Sequence, residues 1–168
     1  DRESGGWSAP IDPGPPLNSD SADVFVTVAR SGDLVFGSTR DGPAGIYLSR
    51  FVAGRWETPR AVVVPSALAP GNPLISPSGR HLVFAQRVPG QNADLFVSCR
   101  RGDQWSAPIA LSGLVNSSRS DFAPALDAAE ATFFFTSERP GISGVVADSV
   151  RPPGDLYQVA WASVAPAC

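Results

Sequence analysis

The sequence has no methionine and no lysine, and only one histidine and two cysteines occur among its 168 residues. All 13 of its basic residues are arginines. Without a methionine at position 1, the chain is either processed or excised from something longer. A start at Asp1 would suit an exported protein whose signal peptide has been removed. We therefore expect a periplasmic or secreted protein.

Charge and long apolar runs are also scarce. Charged residues make up 17% of the chain and the formal net charge is −3, which argues against nucleic acid as a partner. No apolar run approaches the roughly 20 residues of a transmembrane helix, so no membrane span is expected. Hydrophobic residues at 43% favour a folded chain over a disordered one. With 17 prolines and 16 glycines, long helices are excluded and an all-β fold is favoured.

The two cysteines, Cys99 and Cys168, are too few for a disulfide framework and have no metal-ligand spacing. The interpretation we favour is a small core residue at Cys99 and a loose thiol at Cys168. A bridge between the two, or an intermolecular bond through Cys168, remains open.

An internal repeat with a period of 49 residues is the strongest signal in the sequence. Three Trp-x-x-Pro motifs mark it, beginning at Trp7, Trp56 and Trp105. After each motif comes a loop and then a β-prone run that contains or ends in phenylalanine: Phe36, Phe84 and Phe135. We expect these six aromatic side chains to be largely buried between strands or blades.

Each repeat has room for four short strands. In the first unit they are predicted at Asp23–Val28, Leu34–Ser38, Gly45–Ser49 and Arg55–Val62, joined by turns of tight-turn composition. Four antiparallel strands every ~40–50 residues are typical of a β-propeller blade. The sequence therefore predicts an all-β protein, a β-propeller with three four-stranded blades per chain.

The repeats resemble the WD40-like (PD40) repeats of TolB-type propellers. The resemblance is carried by Pro73-Leu74-Ile75-Ser76-Pro77-Ser78-Gly79, by Phe135-Thr136-Ser137-Glu138-Arg139-Pro140-Gly141 and by Asp155-Leu156-Tyr157. Gly45 departs from the pattern by replacing the aspartate that opens the third strand, and Asp127–Glu130 lacks the turn glycine. The resemblance implies the fold and says little about function.

Three blades are too few to close a propeller, which needs typically four to eight. We expect a single repeat region over residues 1–168, with blades at roughly 13–62, 63–111 and 112–161 and an outer strand at 7–12 that closes the ring. The chain is then half of a six-bladed propeller formed by a homodimer, in which each N-terminal strand completes the partner's last blade. Membership of a longer propeller is the alternative.

Polar residues recur at two positions of the repeat. Asp23 and Asp121 lie where the chain enters the inner strand, and in unit two counting from Trp56 gives Asn72, whereas counting back from Pro73 gives Pro70. Arg40, Arg87 and Arg139 follow the phenylalanine-ending strand. Strand alternation brings both sets to one face, which also carries the long segment 140–154. This face is the candidate ligand rim, at the mouth of the central channel. The alternative is structural: turn capping by Asp and Asn, and pairing of the arginines with Asp94 or Asp155.

Catalytic motifs are scarce. His81 is the lone histidine, no His/Cys cluster has zinc spacing, and Gly-x-Ser-x-Gly and P-loop motifs are absent. We expect a non-catalytic module that binds a protein or peptide, without a cofactor, although the acidic channel mouth leaves a cation as an alternative there. The rival hypothesis is a carbohydrate-active or other hydrolytic propeller that uses Asp23 and Asp121 as channel carboxylates.

Overall fold

A computed structural model describes residues 2–3, 6–65, 69–87, 90–140 and 154–168. The fold is all-β, and its regular helical structure in these residues is one 3₁₀ turn, Trp161–Ser163. No helix in this part of the chain is long and apolar enough to cross a membrane. Most of the predicted long segment 140–154 lies outside the described residues.

The strands in chain order are β1 (Arg2–Glu3), β2 (Gly6–Trp7), β3 (Asp23–Val28), β4 (Leu34–Ser38), β5 (Gly45–Ser49), β6 (Phe51–Val52), β7 (Arg55–Trp56), β8 (Arg60–Ala61), β9 (Gly71–Ile75), β10 (His81–Arg87), β11 (Ala93–Arg101), β12 (Gln104–Trp105), β13 (Ile109–Ala110), β14 (Asp121–Leu126), β15 (Thr132–Ser137) and β16 (Asp155–Ala160). All their pairings are antiparallel, in several sheets. Sheet 1 has the order β3-β4-β5-β8. Sheet 2 has the order β12-β11-β10-β9, with β13 also paired to β11, and sheet 3 has the order β14-β15-β16.

The first three strands predicted for unit one are confirmed at their predicted bounds. The fourth, Arg55–Val62, is wrong: the segment forms two short strands, β7 and β8, in different sheets. Pro59 lies between them, and a proline cannot donate a hydrogen bond to a ladder. Trp56 is half-buried, with its ring 5.0 Å from that of Phe51.

The expected outer strand at 7–12 is also wrong. Only Gly6–Trp7 is extended into a strand there, and it pairs with Arg2–Glu3. Trp7 is 83% exposed, whereas Trp105 is buried in the core between sheets 1 and 2. The difference lies in what covers each indole, since Trp105 belongs to a sheet packed on its neighbour. In the described residues, β16 pairs with β15 alone, so sheet 3 has no fourth strand.

Sheet 2 lies between the other two sheets, and strand alternation divides its side chains between two cores. Leu82 and Phe84 of β10 pack toward sheet 1. Val83 and Ala85, which alternate with them, pack toward sheet 3. The predicted burial of the phenylalanines Phe36, Phe84 and Phe135 is confirmed.

The three sheets meet at the end that carries their innermost hairpin turns, 29–33, 76–80 and 127–131, which we call the turn end. The Arg30 N–H donates to the carbonyl of Pro77 at 2.8 Å, and the Ser78 hydroxyl donates to a Glu130 carboxylate oxygen at 3.1 Å. The Arg100 guanidinium of sheet 2 lies 2.8 Å from the Asp33 carboxylate of sheet 1. These contacts join sheet 1 to sheet 2 and sheet 2 to sheet 3.

A disulfide between Cys99 and Cys168 also lies at the turn end, with the Cα atoms 5.4 Å apart. The interpretation favoured from the sequence, two free thiols, is therefore wrong. The predicted burial of the Cys99 side chain is confirmed. After the 3₁₀ turn the chain reaches His81 with the carbonyl of Pro166 and then brings Cys168 to Cys99. The bridge closes a loop of 69 residues, and the chain-entropy model puts its stabilisation at roughly 4 kcal/mol.

Candidate functional site

The end opposite the turn end, which we call the loop end, carries an arginine-centred network in sheet 1. The Arg40 Nη2 lies 2.7 Å from Asp23 Oδ1 and donates at 2.7 Å to the carbonyl of Leu17. The Arg40 Nε donates to the Ser38 hydroxyl at 3.1 Å. Asp23 and Ser38 are cross-strand partners in β3 and β4, so the register of the sheet brings the carboxylate within reach of the guanidinium.

Sheet 3 repeats this arrangement. The Arg139 Nη2 lies 2.9 Å from Asp121 Oδ1 and also donates to the carbonyl of Val115, while its Nε donates to the Ser137 hydroxyl at 2.7 Å. Asp121 and Ser137 are again cross-strand partners. Here the carboxylate is fully buried, with 0% of its side chain exposed.

Each guanidinium also covers aromatic rings of its own sheet. Arg40 lies 4.9 Å from the ring centre of Phe36 and 5.3 Å from that of Tyr47. Arg139 lies 5.3 Å from the Phe135 ring and 4.9 Å from the Tyr157 ring. A guanidinium over an aromatic face adds a cation–π attraction to its hydrogen bonds.

A serine four residues before each aspartate completes the network. The Ser19 N–H and hydroxyl both donate to Asp23 Oδ2 at 2.8 Å. The Ser117 N–H and hydroxyl donate to Asp121 Oδ2 at 2.6 and 2.9 Å. We call this set of one aspartate, one arginine and two serines the arginine lock. A Ser-x-x-x-Asp spacing followed by Ser-x-Arg is the sequence signal that would have found it.

The expected pairing of the arginines with the aspartate of the next strand, Asp94 or Asp155, is wrong. Arg40 and Arg139 instead reach back to the aspartate that opens the inner strand of their own sheet. Ser137 is a cross-strand partner of both Asp121 and Asp155, yet Arg139 pairs with the buried member. A buried carboxylate has lost its water and needs the charged donor more than an exposed one does.

Sheet 2 has no arginine lock in its described residues. Pro70 occupies the aspartate position, and Arg87 lies one residue short of the arginine position, exposed at the end of β10. Asn72 lies within β9 rather than at the entrance to the inner strand. The sequence-predicted rim residues therefore separate into two locked pairs, Asp23 with Arg40 and Asp121 with Arg139, and two residues outside them.

Asn72 marks a backbone feature that all three inner strands share. It is equivalent to Phe25 and Ala123, and the three have positive φ angles of 48°, 56° and 50°. A register irregularity falls at the same place in each inner strand. This is the geometry of a β-bulge, and a bulge commonly bends an edge strand or re-aims a side chain beside a functional site. Asn tolerates the left-handed region better than Phe or Ala.

Two carboxyl groups at the loop end have opposite pKa shifts. Burial raises the pKa of Asp23, but hydrogen bonds from Arg40, Ser38 and Ser19 outweigh it and hold that pKa far below its usual range. Burial, and then the charge of Asp121, raises the pKa of Asp94 above its usual value. The Asp23 carboxylate is therefore held ionised, whereas Asp94 is a weaker acid than an exposed aspartate.

The two locked carboxylates offer little to a ligand. In each, one oxygen accepts from the arginine and the other from a serine. A hydrolytic carboxylate pair requires both groups in one solvent-reachable pocket, and Asp121 is completely buried. A ligand at the loop end can therefore contact the loops and exposed side chains such as Arg87 and Arg119. The carboxylates of Asp23 and Asp121 are already occupied by their own hydrogen bonds.

Two further features were not predicted from the sequence. A cleft of about 490 Å³ runs between sheets 1 and 2, lined by Arg50, Arg60, Arg100 and Trp105 among others. At the turn end, a ligand atom of His81 and the Sγ atoms of Cys99 and Cys168 lie within 4.8 Å of one another. Neither could be found from spacing along the chain, because each brings together residues from separate strands.

Neither a protein-family model nor a curated protein sequence matches the chain. Among solved structures, it is similar to TolB from Acinetobacter baumannii, with a TM-score of 0.56 and 16% sequence identity. The match covers 86% of this chain and 31% of the TolB chain, so the chain spans about a third of that protein's length. The fold is TolB-like.

The Asp121–Arg139 pair should be the most sensitive polar contact at the loop end. Replacing Asp121 by Asn leaves the guanidinium without its carboxylate in a buried setting, and we expect the free energy of unfolding to fall by about 3 kcal/mol. Urea denaturation would measure it. The matched control is Asp155→Asn, an exposed residue of the same sheet, which should change stability by less than about 0.5 kcal/mol. Equal stabilities of the two variants would refute the structural role of the lock.

The Asp23 lock predicts a pH dependence with a definite sign. Because the folded-state pKa is depressed, the unfolded chain binds the proton more tightly, and the stabilisation is present above the unfolded-state pKa of about 3.9. The stability difference between wild type and Asp23→Asn should hold from pH 7 to about pH 5. It should decline below about pH 4 and be lost as the pH falls through the folded-state pKa. A difference that stays constant or widens on acidification would contradict this assignment.

Proposed function

We propose that this chain is a non-catalytic protein- or ligand-binding module of the TolB-like β-propeller type, acting in the cell envelope or the exported fraction. Its three units serve as blades, at roughly 13–62, 63–111 and 112–161, and two copies build a six-bladed ring. The TolB-like fold supports the architecture. The Cys99–Cys168 disulfide supports the location, because such bonds persist mainly in oxidising compartments.

The proposal rests on one observation, the contrast between equivalent positions in the three sheets. Ile75 faces sheet 1 and is 1% exposed, whereas its equivalent in sheet 1, Val28, is 59% exposed. Leu95 faces sheet 3 and is 0% exposed, whereas its equivalent in sheet 3, Leu156, is 84% exposed. These two positions, which are buried where a neighbouring sheet exists, are thus open on the two outer flanks of the described residues.

The two open flanks match each other as two neighbouring sheets do within the chain. The outer flank of sheet 1 exposes Val26 and Val28, and the equivalent positions of sheet 2, Pro73 and Ile75, lie on the face that sheet 2 turns toward sheet 1. The flank of sheet 3, with Phe134 and Leu156, is the type of surface that sheet 2 presents to sheet 3. A second copy related by a two-fold axis would place each flank of one copy against the other flank of its partner. Both apolar surfaces would then be buried.

Ligand binding is assigned to the loop end. The arginine locks hold the loops that enter β3 and β14, and the rim contains Asp23, Asn72, Asp121, Arg40, Arg87 and Arg139. Within that rim the locked pairs act as supports, and Arg87 together with the nearby Arg119 supplies exposed charge. Loops on a rigid scaffold are where recognition is usually found. A protein or peptide segment is the class of ligand that a rim of this kind fits.

The hydrolytic alternative draws no support from the site. Its two carboxylates, Asp23 and Asp121, are each bound by an arginine and by serine donors, and Asp121 has no solvent access. A general acid or nucleophile needs direct access to its substrate. A propeller of this sequence that acts as a hydrolase would therefore have to use other residues.

Ring assembly predicts that a charge on either flank weakens self-association. In analytical ultracentrifugation we expect a concentration-dependent dimer for wild type. Val28→Arg and Leu156→Arg should each weaken the dimer by about tenfold or more, because a buried charge without a partner opposes association. The matched control is Ile109→Arg, a similarly exposed residue on the outer edge of sheet 2, which should leave the dimer unchanged. A stable monomer, or an equal effect of the control, would rule out this assembly.

Ligand binding at the loop end predicts where a selected peptide binds. Peptides from a random displayed library would be selected on the oxidised full chain, and their affinity measured by fluorescence polarisation. Arg87→Glu and Arg119→Glu should weaken binding by about tenfold, equivalent to about 1.4 kcal/mol. Arg101→Glu, an exposed arginine near the turn end, should leave the affinity within about twofold. Failure to select any peptide, or insensitivity to both rim changes, would argue against this binding face.

A further inference from the structure

His81 and Cys99 lie side by side at the turn end of sheet 2. They are cross-strand partners in β10 and β11, so their side chains project on the same face. Cys168 joins them through its bond to Cys99. One ligand atom from each of the three residues lies within 4.8 Å of the other two, and it is the only such group of three in the described residues.

The histidine is held in an orientation suited to metal binding. Its Nε2 lies 3.2 Å from the carbonyl oxygen of Pro166, and its ring packs edge-on to Trp161 at 5.3 Å. A carbonyl can only accept, so an Nε2 that makes this hydrogen bond carries a proton, and a neutral ring then has its lone pair on Nδ1. A metal-bound histidine is usually oriented in this way, by donating its other N–H to a carbonyl or a carboxylate.

The Nδ1 atom has no hydrogen-bond partner. Among the described residues, it is the one buried side-chain nitrogen or oxygen without a partner, and His81 is 95% buried by its 5% relative exposure. Buried polar atoms nearly always have a partner, so an exception calls for an explanation. A ring nitrogen of His81 lies within 4.8 Å of both sulfur atoms, and a cation that binds nitrogen and sulfur would give Nδ1 the partner it lacks.

We propose that the reduced chain binds one Zn²⁺ through His81 Nδ1 and the thiolates of Cys99 and Cys168, and that the disulfide excludes the metal. Zinc prefers this ligand set, with Zn–S distances of about 2.3 Å and Zn–N distances of about 2.0 Å. Three protein ligands leave the fourth tetrahedral position to water. The site is thus open to a further ligand, and its existence depends on the redox state of the cysteine pair.

Conversion of the disulfide to the zinc-binding form requires a reductant, and an external dithiol can supply the two electrons. Two electrons and two protons pass to the disulfide, giving the Cys99 and Cys168 thiols while the dithiol closes to its own disulfide. Zn²⁺ then displaces the two thiol protons and forms two Zn–S bonds without changing its oxidation state. The two sulfurs must separate to about 3.8 Å to occupy tetrahedral positions. Cys168 is exposed and can make that movement, whereas Cys99 is anchored in β11.

The test uses the full chain, reduced with a phosphine and freed of metal under nitrogen. Titration with Co²⁺, a spectroscopic substitute for Zn²⁺, should produce thiolate-to-metal absorption that saturates at one ion per chain and is abolished by added Zn²⁺. The oxidised wild-type chain should produce none. Reaction of the thiols with a chromogenic disulfide should also be slower in the presence of Zn²⁺, a readout that needs no substitution.

His81→Phe tests the nitrogen ligand, because phenylalanine keeps a ring against Trp161 but cannot bind the metal. We expect its Zn²⁺ affinity to fall by more than about tenfold. Tryptophan fluorescence would verify that His81→Phe is folded. A second variant, Cys168→Ser, removes one sulfur ligand, so its Co²⁺ complex should have weaker thiolate-to-metal absorption. Unchanged affinity in His81→Phe, or equal metal binding by the reduced and oxidised wild-type chains, would overturn the proposal.

Discussion

A carboxylate without solvent contact can stay charged only where hydrogen-bond donors replace the water it has lost, and this constraint organises the loop end. Asp121 is fully buried and receives the Arg139 guanidinium on one oxygen and Ser117 on the other. The same arginine binds the carbonyl of Val115. One ion pair therefore fixes the loop, the start of β14 and the end of β15 relative to one another. Sheet 1 repeats the device with Asp23 and Arg40.

Sheet 2, which has no arginine lock in its described residues, is the sheet with the most apolar packing. Sheet 2 is packed on both faces, with Phe84 in one core and Val83 in the other, so apolar contacts hold it from two sides. Sheets 1 and 3 each have one covered face. Their locks add polar contacts within the sheet, and the arginines cover aromatic rings that extend from the β4 and β15 strands. Equivalent sheets are thus held in different ways: sheet 2 by apolar packing on both faces, and sheets 1 and 3 by packing on one face together with an ion pair.

The two ends of the sheets carry different chemistry. At the loop end, acidic and basic side chains neutralise one another and leave exposed arginines at the rim. At the turn end, backbone hydrogen bonds join the innermost turns, and a histidine lies beside a disulfide with its Nδ1 unpartnered. Binding of a macromolecular ligand and the redox-dependent metal site would therefore involve separate surfaces.

Local patterns were enough to predict the strands Asp23–Val28, Leu34–Ser38 and Gly45–Ser49, because alternation and turn composition act over neighbouring residues. The burial of Phe84 followed from the repeat for the same reason. The rim arginines were recognised as a recurring set, but their partners were not. Which carboxylate Arg40 meets depends on the register between strands, and a chain position does not encode that register by itself.

The remaining features were decided by what lies across the fold. Trp7 and Trp105 share a motif, yet one is exposed and the other buried, because only Trp105 belongs to a sheet with a neighbour over it. Cys168 meets Cys99 across 69 residues, and His81 joins them through the β10–β11 register. Hydrophobic periodicity reports which face of a strand is apolar. It carries no information on what covers that face, since burial is a property of two surfaces, and the second surface is set by tertiary packing.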